Sequence, residues 1–368
     1  MFVSSGAIQC DRQPHSRTVN LSLARLHLFA WPGLPIRSDS SGVVILVMHV
    51  PYRLLSVLGL GLILASAVYA LGRPAVPSAS NPAATAMMTA SSTSTSPALP
   101  QADDLTFGQN AGKVLIGLTV RPAQPGQNTL LVYVSPLEGP SGAADVPLHV
   151  SIGGQSVSLD TCSRTCRTAT VTLMGGEHID VVADGAEGGT AAFDLPALPA
   201  PDGGTLLQQV QERMHQLRTY RVAETLGPAT PVLQANYVFE APDRMQLSPV
   251  NGDTTVWIGP TRYTRKTDSG SWQVDDFGTS LPVPSFIWDL PKSGGTYIGA
   301  HVLGADTVDG VQTQVLTFFV DLPQTPVWFR LWSDASGLVH RASMRAQGHF
   351  MDHLYTDFDA PVSIEPPL

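Results

Sequence analysis

From Leu206 onward the chain places one amphipathic helix ahead of a long succession of short strand candidates. That order restricts the fold more than any other feature of the sequence. In TLLQQVQERMHQL, Leu206, Leu207, Val210, Met214 and Leu217 recur at helical spacing with Gln, Glu and Arg between them. This is the pattern of a helix with one apolar stripe, and Asp202 or Thr205 can cap its start. Strand candidates follow at Tyr220–Leu226, Leu233–Phe239, Arg244–Ser248, Thr254–Ile258, Arg262–Lys266, Ser271–Val274, Thr296–Gly304, Gln312–Val320, Val327–Ser333, Leu338–Arg345 and His349–Phe358. Turn sequences such as NGD, VDG and DASG separate most of them. The expectation is one helix followed by a large antiparallel meander, interrupted by the irregular stretch Thr279–Gly295 as a flap or short helix.

Residues 106–196 follow a different pattern. KVLIGLTVRP, NTLLVYVSP, VPLHVSIGG, TATVTLMGGEHIDVVAD and TAAFDLP are alternating or apolar runs punctuated by Gly, Pro, Asn and Asp, as in a β-sandwich. Pro122–Asn128 is turn chemistry, with proline fixing φ and glycine supplying the reversal. PALPAPDGG, residues 196–204, reads as a short stiff linker to a second domain at 203–368.

Upstream, Arg53 precedes an unbroken apolar run from Leu54 to Leu71, the start of an exported protein. Met48 is the expected initiator, and residues 1–47 a misassigned or disordered leader. The run is longer than a usual signal core and close to the ~20 residues that span a bilayer. A single-pass signal anchor at 48–71 is therefore favoured over a cleaved signal peptide with secretion. Residues 72–105, rich in Pro, Ser, Thr and Ala, read as a flexible tether. The folded parts are expected outside the cytoplasm.

Charged residues make up only 14% of the chain and the formal net charge is -9. With only three lysines and no basic block, nucleic acid is not an expected partner. Cys162 and Cys166 cannot fill a four-ligand zinc site unaided. In an oxidising compartment they are expected to form a disulfide. On a straight strand they would lie about 13 Å apart, so they should flank a turn at Ser163–Thr165.

Several segments together resemble the LolA/LppX/LprG-type fold of bacterial envelope proteins: LRTYRVAETL, YVFEAPDRMQL, TTVWIGPTRYTRKTDSGSWQV, VDGVQTQVLTFFVD, VWFRLWSDASGLVHRASMRAQG and YTDFDAPVSIEPP. The resemblance implies a curved antiparallel sheet wrapped round a helix, a half-barrel with an apolar cavity for a lipid. GLTVRPAQPGQNTLLVYV more weakly resembles the immunoglobulin-like domains associated with CopC/CopD and YtkA-like copper proteins, although the N-terminal histidine that CopC-type domains use is missing. The fold class expected is mainly β: membrane helix, tether, Ig-like sandwich, then an α+β half-barrel.

No catalytic constellation is present: Gly-x-Ser-x-Gly, His-Glu-x-x-His and a P-loop are all missing. A binding protein rather than an enzyme is expected, with no resident cofactor. Two ligand classes remain open. Trp328 and Trp332 share parity on one strand and so one face; they are either core or the wall of a cavity for a lipid or other apolar molecule. In MRAQGHFMDHLY, a two-residue turn at Gln347–Gly348 sets Met344 opposite Met351 and Ala342 opposite His353. Met344, His349, Met351 and His353 then lie on one face. Thioether plus imidazole suits Cu(I), so extracytoplasmic copper handling is the alternative; ordinary core packing accounts for the same pattern.

Overall fold

The computed structural model describes residues 100–137, 146–185, 187–227, 232–267, 270–289, 295–322 and 325–367. The leader expected at 1–47, the signal anchor at 48–71 and residues 72–99 of the tether lie outside the described residues. No described helix is long and apolar enough to cross a membrane.

The first part is a β-sandwich. Its strands are β1 (Leu105–Ala111), β2 (Val114–Arg121), β3 (Gly126–Pro136), β4 (Leu148–Ile152), β5 (Gln155–Val157), β6 (Asp160–Ser163), β7 (Cys166–Leu173), β8 (His178–Ala183) and β9 (Gly189–Asp194). One sheet runs β1-β2-β3-β7-β6 and the other β5-β4-β8-β9. Period-two alternation sends Phe107, Leu118 and Val132 from the first sheet against Ile179, Val181 and Phe193 from the second. The last residues of the tether are ordered here. Leu105 is fully buried, and Arg121 grips the buried Asp104 carboxylate at 2.6 Å. Gly126 takes φ +111 at the turn foreseen between Pro122 and Asn128, a conformation that needs no Cβ. Cys162 and Cys166 are bonded, with their Cα atoms 5.3 Å apart, across a turn at Arg164–Thr165. The Pro-rich stretch after β9 is no free linker, because Leu198 and Ala200 join the sandwich core.

Next come helix α1 (Gly204–Met214) and the strands β10 (Thr219–Gly227), β11 (Leu233–Glu240), β12 (Arg244–Pro249), β13 (Thr254–Ile258), β14 (Thr261–Arg265), β15 (Trp272–Asp276), β16 (Thr296–Val308), β17 (Val311–Leu322), β18 (Thr325–Ser333), β19 (Val339–Ala346) and β20 (His349–Thr356). Asp202 accepts the Gly204 N–H at 3.0 Å, satisfying one of the donors a helix start leaves open. All eleven strands form one antiparallel sheet in the order β15-β14-β13-β12-β11-β10-β20-β19-β18-β17-β16. Its first and last strands, β10 and β20, meet at the centre, and two meandering arms run outward from them. Leu207, Val210 and Met214 of α1 share one core with residues of both arms, among them Tyr237, Met245, Phe318, Phe329 and Met351. The sheet therefore curves about the helix.

The sandwich covers part of the sheet's outer face. Trp328 packs with Leu115, Tyr133 and Phe319; its ring centroid lies 6.1 Å from that of Tyr133. Gly108 and Gly117 leave the room for this indole: a Cβ on Gly108 would come 2.5 Å from the Trp328 Cβ. Thr317 donates its hydroxyl to the Thr106 carbonyl at 2.6 Å. Arg330 is enclosed between Phe107 and Trp332, and burial pulls its guanidinium pKa down to about 10.

Candidate functional site: the inner face of the sheet

Strands β15 and β16 are opposite edges of the sheet. The chain between them has to cross from one edge to the other, and its residues 281–288 pack on the inner face. Within this crossing segment Val283, Phe286 and Trp288 are buried, Trp288 completely, in the same core as α1. Phe286 and Trp288 stack at 4.8 Å. Their rings reach Tyr220 and Tyr355 on the sheet at 5.2 and 5.6 Å.

The segment has no strand pairing with the sheet it covers. Val283 N–H donates to the Pro242 carbonyl at 2.8 Å, and the Tyr220 hydroxyl donates to the Ser285 carbonyl at 3.1 Å. On the helix side, the Tyr297 hydroxyl donates to the Trp288 carbonyl at 2.7 Å, and His215 Nε2 lies 3.1 Å from Asp289 Oδ2. The segment is thus an apolar insert fastened by a handful of separate hydrogen bonds, in contrast to the continuous ladders of the sheet.

One stretch of the otherwise apolar inner wall is polar. Glu224 on β10 and His353 on β20 are direct neighbours in register, 4% and 8% exposed. His353 Nε2 lies 2.8 Å from Glu224 Oε1, and the Tyr237 hydroxyl donates to Oε2 at 2.6 Å. His353 Nδ1 lies 2.9 Å from the Tyr355 hydroxyl. Burial alone would raise the Glu224 pKa, but the hydrogen bonds from His353 and Tyr237 and the His353 charge outweigh it and hold the carboxyl below its ordinary value. Burial, with Glu224 next in effect, pushes the Tyr237 hydroxyl far above its usual range, so it stays a donor.

The β19–β20 hairpin has the register expected from its turn: Met344 faces Met351, Ala342 faces His353 and Ala346 faces His349. Met344 and Met351 are 5% and 2% exposed and belong to the core. His353 has both ring nitrogens engaged in hydrogen bonds, which removes it from a copper ligand set. His349 is half-buried and its Nε2 has no partner. No group of three His, Cys, Asp or Glu side chains among the described residues is arranged to hold a metal ion.

Trp328 and Trp332 do share a face, but it is the outer one. Trp328 is the centre of the contact with the sandwich. Trp332 packs on Val308 and Val315 and donates its indole N–H to Asp306 at 2.9 Å. Of the two readings, core packing describes both indoles here, and neither lies on the face that α1 covers. The inward positions of β18 are Val327, Phe329 and Leu331, since alternation puts neighbours of an outward residue inside. An open pocket of about 430 Å³ is bounded by residues of β10, β11, β19 and β20, among them Ala223, Glu224, Asn236, Arg341, His353 and Leu354.

No protein-family model matches the chain, and no curated protein matches it. Among solved structures, the lipoprotein LppX of Mycobacterium tuberculosis is similar at 14% identity over 44% of this chain and 97% of its own, with a TM-score of 0.32. LprF of Mycobacterium bovis is similar at 17% identity over 46% of this chain and 99% of its own, with a TM-score of 0.33.

Proposed function

We propose that the curved sheet and α1 form a binding module for a lipid acyl chain or similar apolar molecule, held where the crossing segment Leu281–Asp289 lies in this structure. The reading is of a non-enzymatic protein tethered to the cell membrane with its folded parts outside the cytoplasm. The Cys162–Cys166 disulfide supports an oxidising compartment.

One observation carries the proposal. A wall rich in aromatic and aliphatic side chains is covered by a segment that pairs with none of its strands. Withdrawing that segment would leave an apolar groove between sheet and helix while the sheet's own hydrogen bonds stay in place.

The magnitudes allow exchange. Val283, Phe286 and Trp288 each gain about 1.5–3 kcal/mol from burial, so their withdrawal costs on the order of 5–9 kcal/mol. A sixteen-carbon chain buried at about 0.8 kcal/mol per CH₂ contributes on the order of 12 kcal/mol before association costs. An acyl chain thus gains more from burial than the three side chains give up, whereas a small apolar molecule gains less.

Native mass spectrometry of the protein isolated from membranes tests this. The expected spectrum contains a lipid adduct that organic extraction removes and added lipid restores. A spectrum with the bare mass alone, before and after incubation with long-chain lipids, would exclude the proposal.

A further inference from the structure

Glu224 and His353, with the hydroxyls of Tyr237 and Tyr355, form a buried polar patch on the inner wall. Among the described residues their polar side-chain atoms bond to one another. A buried charged pair is seldom better for stability than apolar side chains of the same volume. Met344, Met351, Val222 and Leu247 around the same core show what the sheet uses elsewhere.

The position of the patch is specific. Tyr355 is its member nearest the crossing segment, with its ring 5.6 Å from Trp288 and 6.1 Å from Phe286. Whatever replaces those two rings meets Tyr355 first, then His353 and Glu224. The crossing segment offers the patch no polar match: Trp288 is fully buried and its indole N–H has no partner. On the same strand and face as His353, the His349 Nε2 is also buried without one. The patch itself is rich in acceptors. Each Glu224 oxygen accepts one hydrogen bond and keeps capacity for another.

We infer that this patch is the head-group subsite of the apolar-ligand groove, and that it takes an amphiphile whose polar end donates hydrogen bonds through hydroxyl groups. A free fatty acid is rejected, because its carboxylate would be brought beside Glu224 in a low-dielectric wall where like charges repel strongly. The inference rests on the proposed binding function and assigns the ligand class within it.

The experiment compares 1-monopalmitoylglycerol with palmitate, which share one acyl chain, by titration of the full chain at pH 7.5. The wild type is expected to bind the monoacylglycerol at least about tenfold more tightly, since a site built to pair a polar group discriminates strongly by that group. Glu224→Gln is expected to bring the two within about twofold. If that variant fails to fold, the double variant Glu224→Met/His353→Leu, which removes the buried pair as a unit, must lose the preference in the same way. Palmitate binding the wild type as well as the monoacylglycerol, or a preference unchanged in the folded variants, overturns the subsite alone. Binding of neither amphiphile overturns the subsite together with the binding function.

Discussion

His215 Nε2 lies 3.1 Å from Asp289 Oδ2, and this pair ties the crossing segment to the end of the helix. The other ring nitrogen of His215 lies 2.7 Å from the Gln211 carbonyl. Asp289 also accepts the Phe286 N–H at 2.9 Å, which fixes the turn that presents Phe286 and Trp288. Asp289→Asn keeps that turn but removes the charge. A partly exposed pair of this kind is worth up to about 1 kcal/mol. Amides of residues 281–289 should then exchange up to about fivefold faster, with those of β10 and β20 unchanged. Equal exchange in wild type and variant would show that the pair does not hold the segment.

Trp288→Ala should cost about 3–5 kcal/mol of unfolding free energy, the usual loss for a large aromatic removed from a packed interior. Trp288 is fully buried, so the vacated volume lies inside the groove. Long-chain lipid should restore a larger part of the loss in this variant than it adds to the wild type. Urea unfolding with and without lipid reads both quantities. A loss below about 1 kcal/mol would mean that the segment is not packed as described.

Trp328 and the glycines of the sandwich should be coupled. Adding a methyl at Gly117 drives it into the Trp328 ring, and at Gly108 into its Cβ. Gly117→Ala should cost about 1–3 kcal/mol through overpacking. Trp328→Leu should relieve much of that cost, so the double variant is more stable than the sum of the two single losses implies. Additive losses in thermal melts would place the indole elsewhere.

Stability should fall on mild acidification. Burial, partly offset by the Glu224 charge, holds the His349 pKa below its ordinary value. The unfolded chain then takes up this proton first. Its contribution is complete above about pH 6.5 and is lost as pH drops toward the lowered folded value. The Glu224 carboxyl is also lowered, with the same sign, but it titrates in a more acid range. His178, raised mainly by the Asp194 hydrogen bond, works in the opposite direction, so the comparison has to be made between variants. His349→Phe should flatten the decline between pH 6.5 and 5.5 in urea titrations. An unchanged slope would rule this source out.

Much of this arrangement is legible in the sequence, and what is not has physical reasons. The α1 stripe, the hairpin register at Gln347–Gly348 and the cysteine pair across a turn follow from local periodicity and turn chemistry. The side taken by Trp328 and Trp332 does not, because alternation fixes parity and leaves open which face is covered. The clue lay in LTFFV and VWFRLW, which are apolar without alternation and therefore buried on both faces. Glu224 was missed although it sits in the inward phase of Tyr220, Val222 and Leu226. His353 holds the matching inward phase of HFMDHLY. The insertion of residues 281–289 is a consequence of topology. It requires that β10 pairs with β20 and that β15 and β16 become opposite edges, a long-range fact that no local pattern encodes.

Hydrogen exchange across residues 281–289, with and without a saturating long-chain lipid, tests the central claim most directly. The Val283 amide, which donates to Pro242, and the Phe286 amide, which donates to Asp289, should lose protection when lipid binds. Amides of β10, β11 and β20 should keep or gain protection in the same sample. Lipid that binds while the segment stays as protected as before would contradict displacement of the crossing segment from the inner face.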